Sequence, residues 1–426
     1  MTTRRTILIV AAILFLAVAI VLRSGFFAVA FYALLAIAGL AYLMTFTALD
    51  GITTERHCTL RSCEIGDDAT ITVAVSNKKA IPVPWIVMED LVPKALEVEG
   101  VNGRATVMAS WGHTRLRYQL KCSSRGYHRI GPVLLESGDF FGLSKRLITG
   151  AGSQFITVYP RVVPIEKYEI PTQRPLGELA IRRRLMEDPT RLAGVREYQH
   201  GDPLRRIHWK ATAKTGRLHS RVYDASALLG GNLILDFNAD AWGSTERTAR
   251  SEFAVVVAAS IATYIASRRQ DIGFITNGID AAEIVAADPL PGDLGTRAEA
   301  RQAAAQMREG DRLRPLQVPV RQCEEALPLV RESLAHVELS NGLSLAEMIS
   351  QEYEAWPRDT ATIVIVPQVS TELIGQIVRL RNAGFSLLVV LIDNRREFPG
   401  MRAALEAENI PSLHLEKEAD LSVLRL

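Results

Sequence analysis

Cysteine is scarce in this chain, four in 426 residues, at Cys58, Cys63, Cys122 and Cys323. Their spacing matches no metal-ligand pattern, and a chain this long needs no disulfide framework, so free thiols in a reducing compartment are expected. Cys58 and Cys63 remain a possible pair if the soluble part faced an oxidising compartment instead. A charge excess of either sign is lacking too: 49 Lys and Arg stand against 47 Asp and Glu, for a net charge of +2. That balance, without an aromatic-studded basic surface, argues against nucleic acid as a partner. There is no low-complexity tail and no short internal repeat.

Long hydrophobic runs are present, both at the N-terminus. The stretch from Thr6 to Leu22 carries no charge, and after Arg23-Ser24-Gly25 a second runs to Leu49. About 20 apolar residues cross the hydrocarbon core of a bilayer, with about 17 still workable. Residues 1–50 therefore read as a transmembrane hairpin, with helices at about 6–22 and 26–49. A buried core helix, or a cleaved signal peptide followed by one helix, is the alternative. Arg4 and Arg5 precede the first run and only Arg23 lies between the two. Positive residues favour the cytoplasmic side, which puts both ends of the hairpin, and everything after it, in the cytoplasm beneath the inner membrane.

About 375 residues remain, enough for two or three domains. From 51 to 165 the texture is β. Ala69–Val75 and Arg115–Lys121 alternate apolar and polar positions, as strands with one wet face do. Ile130–Glu136 and Phe155–Tyr159 continue the series between Gly, Pro, Asn and Asp punctuation, and a small β-sandwich-like domain is expected. From 230 to 426 apolar strands alternate with helices. Strands are expected at Asn232–Phe237, Ile272–Thr276, Glu283–Ala286 (an antiparallel edge), Thr362–Val366 and Ser386–Ile392. Helices are expected at Glu246–Arg269, Ser344–Trp356 (capped by Ser344 with Glu347 three residues on), Thr371–Asn382 and from about Gly400. Such alternation implies a mostly parallel sheet, whose sites form at the carboxyl ends of strands, here at Asp236–Asp240.

Residues 166–229 fit neither texture. The segment Gly194–Asp224 concentrates Arg, Lys, His and Asp: Arg196-Glu197-Tyr198 reads as extended, Gly201-Asp202-Pro203 as a turn, Leu204–Lys214 as helical and Leu218–Tyr223 as a strand. Its residues Arg196, Glu197, Tyr198, Gly201, Asp202, Arg205, Arg206, Ile207, His208, Trp209, Lys210 and Ala211–Ala213 closely resemble the signature of the bacterial family called domain of unknown function 58. Ser124–Tyr127, Ile130–Pro132, Asp139–Leu143 and Val158–Pro160 resemble that family's β-region, and the N-terminal hairpin is typical of it. The resemblance implies a von Willebrand factor A-like α/β domain and a partnership with MoxR-type AAA+ ATPases.

That fold often holds a divalent cation such as magnesium or manganese, through Asp-x-Ser-x-Ser, a later hydroxyl and a further Asp. Hard cations need several oxygens at fixed spacing. Here the resemblance puts Asp236, Asn238 and Asp240 at the first element and Ser344 at the hydroxyl. The later acid is missing, since Pro367-Gln368-Val369-Ser370 follows the strand Thr362–Val366. The other reading makes Asp236 and Asp240 solvated residues next to a helix start and Ser344 a plain cap.

Three readings of the signature segment stand side by side. In the first, Trp209 is buried at a junction, ringed by an ion-pair network of Arg196, Glu197, Asp202 and Arg205. In the second, Arg205, Arg206, Lys210 and Lys214 form a docking face for an acidic partner or for anionic headgroups. In the third, His208 beside Asp202 acts as an acid/base, although no nucleophile sits at a recognisable spacing. The function expected from the whole is a membrane-anchored, non-enzymatic interaction or scaffold protein working with an ATPase on client proteins. The alternative from another class is a metal-dependent hydrolase using Asp236 and Asp240.

Overall fold

The computed structural model describes residues 13, 17, 25–139, 145–165, 187–198, 207–225, 230–243, 247–287, 297–298, 314–392 and 398–422. The expected helix at 6–22 lies almost wholly outside them. The second apolar run is a helix over Gly25–Ala48. Its large apolar side chains, among them Phe26, Tyr32, Leu35, Leu40 and Leu43, are exposed on all sides. A helix that is apolar all round needs a nonpolar environment, and this one is long enough to cross a membrane. Its C-terminus is satisfied by two cations. Lys79 Nζ donates to the carbonyls of Thr47 and Ala48, the latter at 2.6 Å, and Arg146 Nη1 donates to Phe46 O at 2.8 Å and to Asp50 at 2.9 Å. Cations there complement the negative end of the helix dipole. The helix Arg247–Ser267 is of similar length but less apolar, with Arg247, Arg250 and Glu252 in its first turns, and it is mostly buried, as a core helix should be.

The chain divides into two compact units. The first comprises residues 1–161, 279–310 and 334–338; the second comprises 162–278, 311–333 and 339–426. The described part of the segment read as a linker, 187–198 and 207–225, thus belongs to the second unit.

The first unit holds strands β1 (Ile52–Cys58), β2 (Ser62–Glu64), β3 (Asp68–Asn77), β4 (Val83–Asp90), β5 (Glu97–Glu99), β6 (Gly103–Met108), β7 (His113–Lys121), β8 (Gly126–Ile130), β9 (Val133–Gly138), β10 (Lys145–Thr149) and β11 (Gln154–Tyr159). They form two antiparallel four-stranded sheets, β1-β3-β7-β5 and β10-β9-β4-β6, and a three-stranded one, β2-β11-β8. One apolar core is shared by Ile71 and Val73 of β3, Ile86 and Met88 of β4, Leu116 and Leu120 of β7, and Val133 and Leu135 of β9. Inside it a buried ion pair joins both large sheets. Arg56 Nε donates to Asp90 Oδ2 at 2.9 Å and Tyr118 Oη donates to the same oxygen at 2.8 Å. The run Ile130–Glu136, read as one strand, is two. Gly131 adopts a φ of +91°, and the Arg56 guanidinium occupies the place a Cβ would need, so glycine is required at this break. Arg125, buried, donates to the carbonyls of Leu334, Ala335 and Val337 at 2.8–3.3 Å.

The second unit centres on a six-stranded sheet of β14 (Gly230–Leu235), β15 (Asp271–Thr276), β17 (Leu316–Arg321), β19 (Ala361–Val366), β20 (Ser386–Leu391) and β21 (Ser412–His414). In the same unit β12 (Glu187–Glu197) pairs with β13 (His219–Ala225) as an antiparallel two-stranded sheet. The short β16 (Ile279–Asp280) and β18 (Val337–Glu338) pair with each other and belong to the first unit. The spatial order β17-β15-β14-β19-β20-β21 is 3-2-1-4-5-6 counted along the chain, the doubly wound order, with β17 antiparallel at one edge. One expected strand is wrong: Glu283–Ala286 is part of a helix, Ala281–Ala287. Asp280 Oδ1 accepts from Ala282 N at 2.8 Å and starts it, alanines favour it, and the antiparallel edge comes from Leu316–Arg321 instead. Leu345–Glu352, Thr371–Asn382 and Phe398–Ala407 are helical as expected.

Candidate functional site

Two places in the second unit carry the residues singled out from the sequence. The first is the carboxyl end of β14, where the strand order reverses between β14 and β19, the point at which doubly wound sheets open a crevice. Asp236 leaves the strand there and is 4% exposed. Its Oδ1 accepts from Asn277 Nδ2 at 2.9 Å and from the Asn238 amide at 3.2 Å. Asn277 also takes the Phe237 amide on its own oxygen at 2.6 Å and donates to Leu343 O at 3.0 Å. Asn238 Nδ2 donates to Gly342 O and Leu343 O, both at 3.2 Å, and its oxygen caps the short 3-10 helix Ala239–Trp242 by accepting from Asp240 N at 2.9 Å. Trp242 Nε1 closes the turn on Asp236 O at 3.1 Å. Burial pushes the Asp236 carboxyl up to about 6, and the two hydrogen bonds oppose it only in part.

This arrangement does not suit the cation that the resemblance implies. The Asn238 oxygen is committed to a backbone amide, and Asp240 is exposed. Ser344 is engaged in a full capping box: its hydroxyl donates to Glu347 Oε2 at 2.8 Å and accepts from Glu347 N at 3.3 Å. Among the described residues no group of three His, Cys, Asp or Glu side chains converges on a metal-sized space. Hard divalent ions ask for six or more oxygens, and one buried carboxylate does not supply them. The reading of Asp236 as a solvated residue is corrected as well, since it is buried. Asn277 was missed. Its signal was an Asn-Gly pair directly after the apolar run Ile272–Thr276, at the carboxyl end of the strand beside β14.

The second place is the signature segment. Arg196, Glu197 and Tyr198 are extended at the end of β12, with Arg196 opposite Ser220 and Glu197 opposite His219 in β13. Gly201, Asp202, Arg205 and Arg206 lie outside the described residues. Ile207 is buried and bridges Ser220. His208 caps the helix Trp209–Thr215, its Nδ1 accepting from Ala211 N at 3.0 Å. That ring nitrogen is therefore occupied by the backbone. Trp209 is 66% exposed, which overturns the reading of a buried ring at a junction. The physical reason is its position, in the first turn of a seven-residue helix with no buried residues. Glu197 pairs with Arg217 at 3.2 Å, both well exposed, a contact that the residue pattern did not suggest. Lys210 and Lys214 are exposed on the same helix. Leu218 and Val195, also exposed, belong to the adjoining strand ends. The segment presents an aromatic ring, two aliphatic side chains and several cations.

The described residues thus comprise a membrane-length apolar helix, a largely antiparallel β unit, and a doubly wound α/β unit bearing the β12–β13 ladder and the helix Trp209–Thr215 with its exposed tryptophan. Residues 194–312 match the family described as "Protein of unknown function DUF58", so the kinship read from Arg196–Ala213 holds over that segment. The uncharacterized protein YeaD of Bacillus subtilis (strain 168) is 24% identical over 218 residues, 50% of this chain and 54% of YeaD; the match thus spans about half the length of that curated relative. Among solved structures, a von Willebrand factor type A protein from Catenulispora acidiphila aligns with 48% of this chain and 42% of its own, at 10% identity and a TM-score of 0.28. The CARDB domain of the PF1109 protein from Pyrococcus furiosus aligns with 25% of this chain and 91% of its own, at 13% identity and a TM-score of 0.18.

Proposed function

We propose that this protein is a membrane-anchored docking protein, held in the inner membrane with its globular units in the cytoplasm, and that the hairpin β12–β13 with the helix Trp209–Thr215 receives a protein partner. The observation that carries this reading is the exposure of Trp209. An indole left in water on a short segment that also exposes Lys210, Lys214 and Arg217 has the composition of an interface anchor, where Trp and Arg concentrate binding energy. The partner suggested by the family resemblance is a MoxR-type AAA+ ATPase acting on client proteins. Attachment by helix Gly25–Ala48 would hold such an ATPase at the membrane surface.

The test is affinity capture of the tagged full chain from detergent-solubilised membranes, with co-purified proteins read by mass spectrometry. Wild type is expected to retain a AAA+ ATPase, and Trp209→Ala or Lys210→Glu to lose most of it while keeping a wild-type thermal transition. Equal retention by folded variants would remove the docking surface from this segment. Absence of any ATPase from the wild-type sample would remove the partner.

A further inference from the structure

The first unit contains a feature that the docking role does not use. Cys63 and Cys122 are 5% and 0% exposed, and their sulfurs lie 2.9 Å apart. Both are free thiols in the structure, and both belong to the apolar core shared by the two large sheets. Their backbones are held on either side of one turn. Cys63 lies in β2, opposite Val158 of β11. Cys122, just beyond β7, donates to Asp67 O at 3.0 Å and accepts from Gly66 N at 2.9 Å. The turn that follows Cys63 is thus hydrogen-bonded to Cys122 itself. The other two cysteines are differently placed. Cys58 is half-buried and directs its thiol to Leu60 O at 2.9 Å, and Cys323 belongs to the second unit.

We propose that Cys63 and Cys122 are a dithiol–disulfide pair, closing a covalent link across the β unit by exchange with a disulfide donor of the glutathione or thioredoxin-like class. A disulfide needs sulfurs about 2.05 Å apart on side chains that already face each other. Here the gap is less than an ångström beyond that, between fixed backbones. The thiols are also unequal. Cys63 donates its S–H to Cys122, which holds the Cys122 thiol below its ordinary value, while the same bond and burial push Cys63 up. In the opened unit either thiol can start the exchange with the same balance of atoms, as follows for Cys122. Its thiolate displaces one sulfur of the donor disulfide, giving a mixed disulfide and a donor thiolate. The Cys63 thiol loses its proton to solvent and attacks Cys122 Sγ, releasing the second donor sulfur as a thiolate. The two protons shed by the protein thiols balance the two taken up by the donor's sulfurs, and two electrons pass from the cysteine pair to the donor. Opening of the β unit, as on folding, admits the donor, and closure then shields the bond from reductants.

The experiment uses the full chain in detergent, first reduced, then brought to equilibrium in an oxidised glutathione buffer, denatured in an alkylating agent and digested. Free thiols are expected to fall from four to two, with a peptide joining Cys63 to Cys122 that dithiothreitol separates. In a Cys58→Ala/Cys323→Ala background, where no other pairing exists, the count is expected to fall from two to zero. Four alkylated cysteines after equilibration, or a peptide joining Cys58 to either partner in place of the Cys63–Cys122 link, would overturn the proposal. The wild-type chain alone decides the outcome, so failure of a variant to fold does not affect it.

Discussion

Replacing Asp236 with asparagine isolates the cost of keeping a carboxylate in the core of the second unit. The group is fully buried, and its pKa is raised from 3.8 to about 6. A raised folded-state value means the folded chain binds more protons than the unfolded chain between those limits. Stability from this group is fully present below about pH 4, falls as pH rises through 6, and stays low above it. A shift of about 2 units corresponds to roughly 3 kcal/mol at neutral pH. The asparagine amide would keep an oxygen to accept from Asn277 Nδ2 and the Asn238 amide without the charge. Asp236→Asn is expected to stabilise the second unit by up to about 3 kcal/mol at pH 7.5, less whatever the new amide N–H loses for want of an acceptor, about 1 kcal/mol. In a unit of this size that is a rise of roughly 4–12 °C in melting temperature. The gain should vanish near pH 4. The assay is the difference between variant and wild-type thermal unfolding, taken at both pH values with and without 5 mM magnesium, a concentration on the order of 100-fold above a tight site's Kd. A variant less stable at pH 7.5, or magnesium stabilising wild type alone, would refute the reasoning and restore a cation site at Asp236.

Asp90→Ala should destabilise the first unit by about 3–5 kcal/mol, because it leaves the Arg56 guanidinium buried without its counter-ion and Tyr118 Oη without its acceptor. Chemical denaturation measures this directly. Ser344→Ala removes a capping box and should cost about 1 kcal/mol with no change in any response to magnesium. A Ser24→Cys variant should react with a membrane-impermeant maleimide added outside sealed cells and not from the cytoplasmic side. The reverse labelling would invert the orientation expected from Arg4, Arg5 and Arg23.

Local pattern carried much of the fold. The strict alternation of Arg115–Lys121 requires a strand with one wet face, and β7 has it. Ser344 with Glu347 requires a helix start, and the capping box is formed. Glu283–Ala286 misled because four apolar or small residues near a strand do not distinguish an edge strand from a short helix. The deciding group was Asp280, whose side chain starts the helix. Trp209 misled for a related reason: a tryptophan among charges reads as a core anchor until its helix is seen to have no buried residues.

The amino-acid sequence by itself determined that a charge-free run to Leu49 forms a membrane-length helix, that β and α/β textures succeed one another, and that a DUF58-type signature lies between them. Each of these is written in neighbouring residues, through periodicity, caps and an ordered motif. Only the tertiary structure decided what distant residues do together. Asn277 meets Asp236 across 41 positions, and Cys63 meets Cys122 across 59. Sheet pairing brings such groups together, and it depends on the register of whole strands, which no local window of sequence contains.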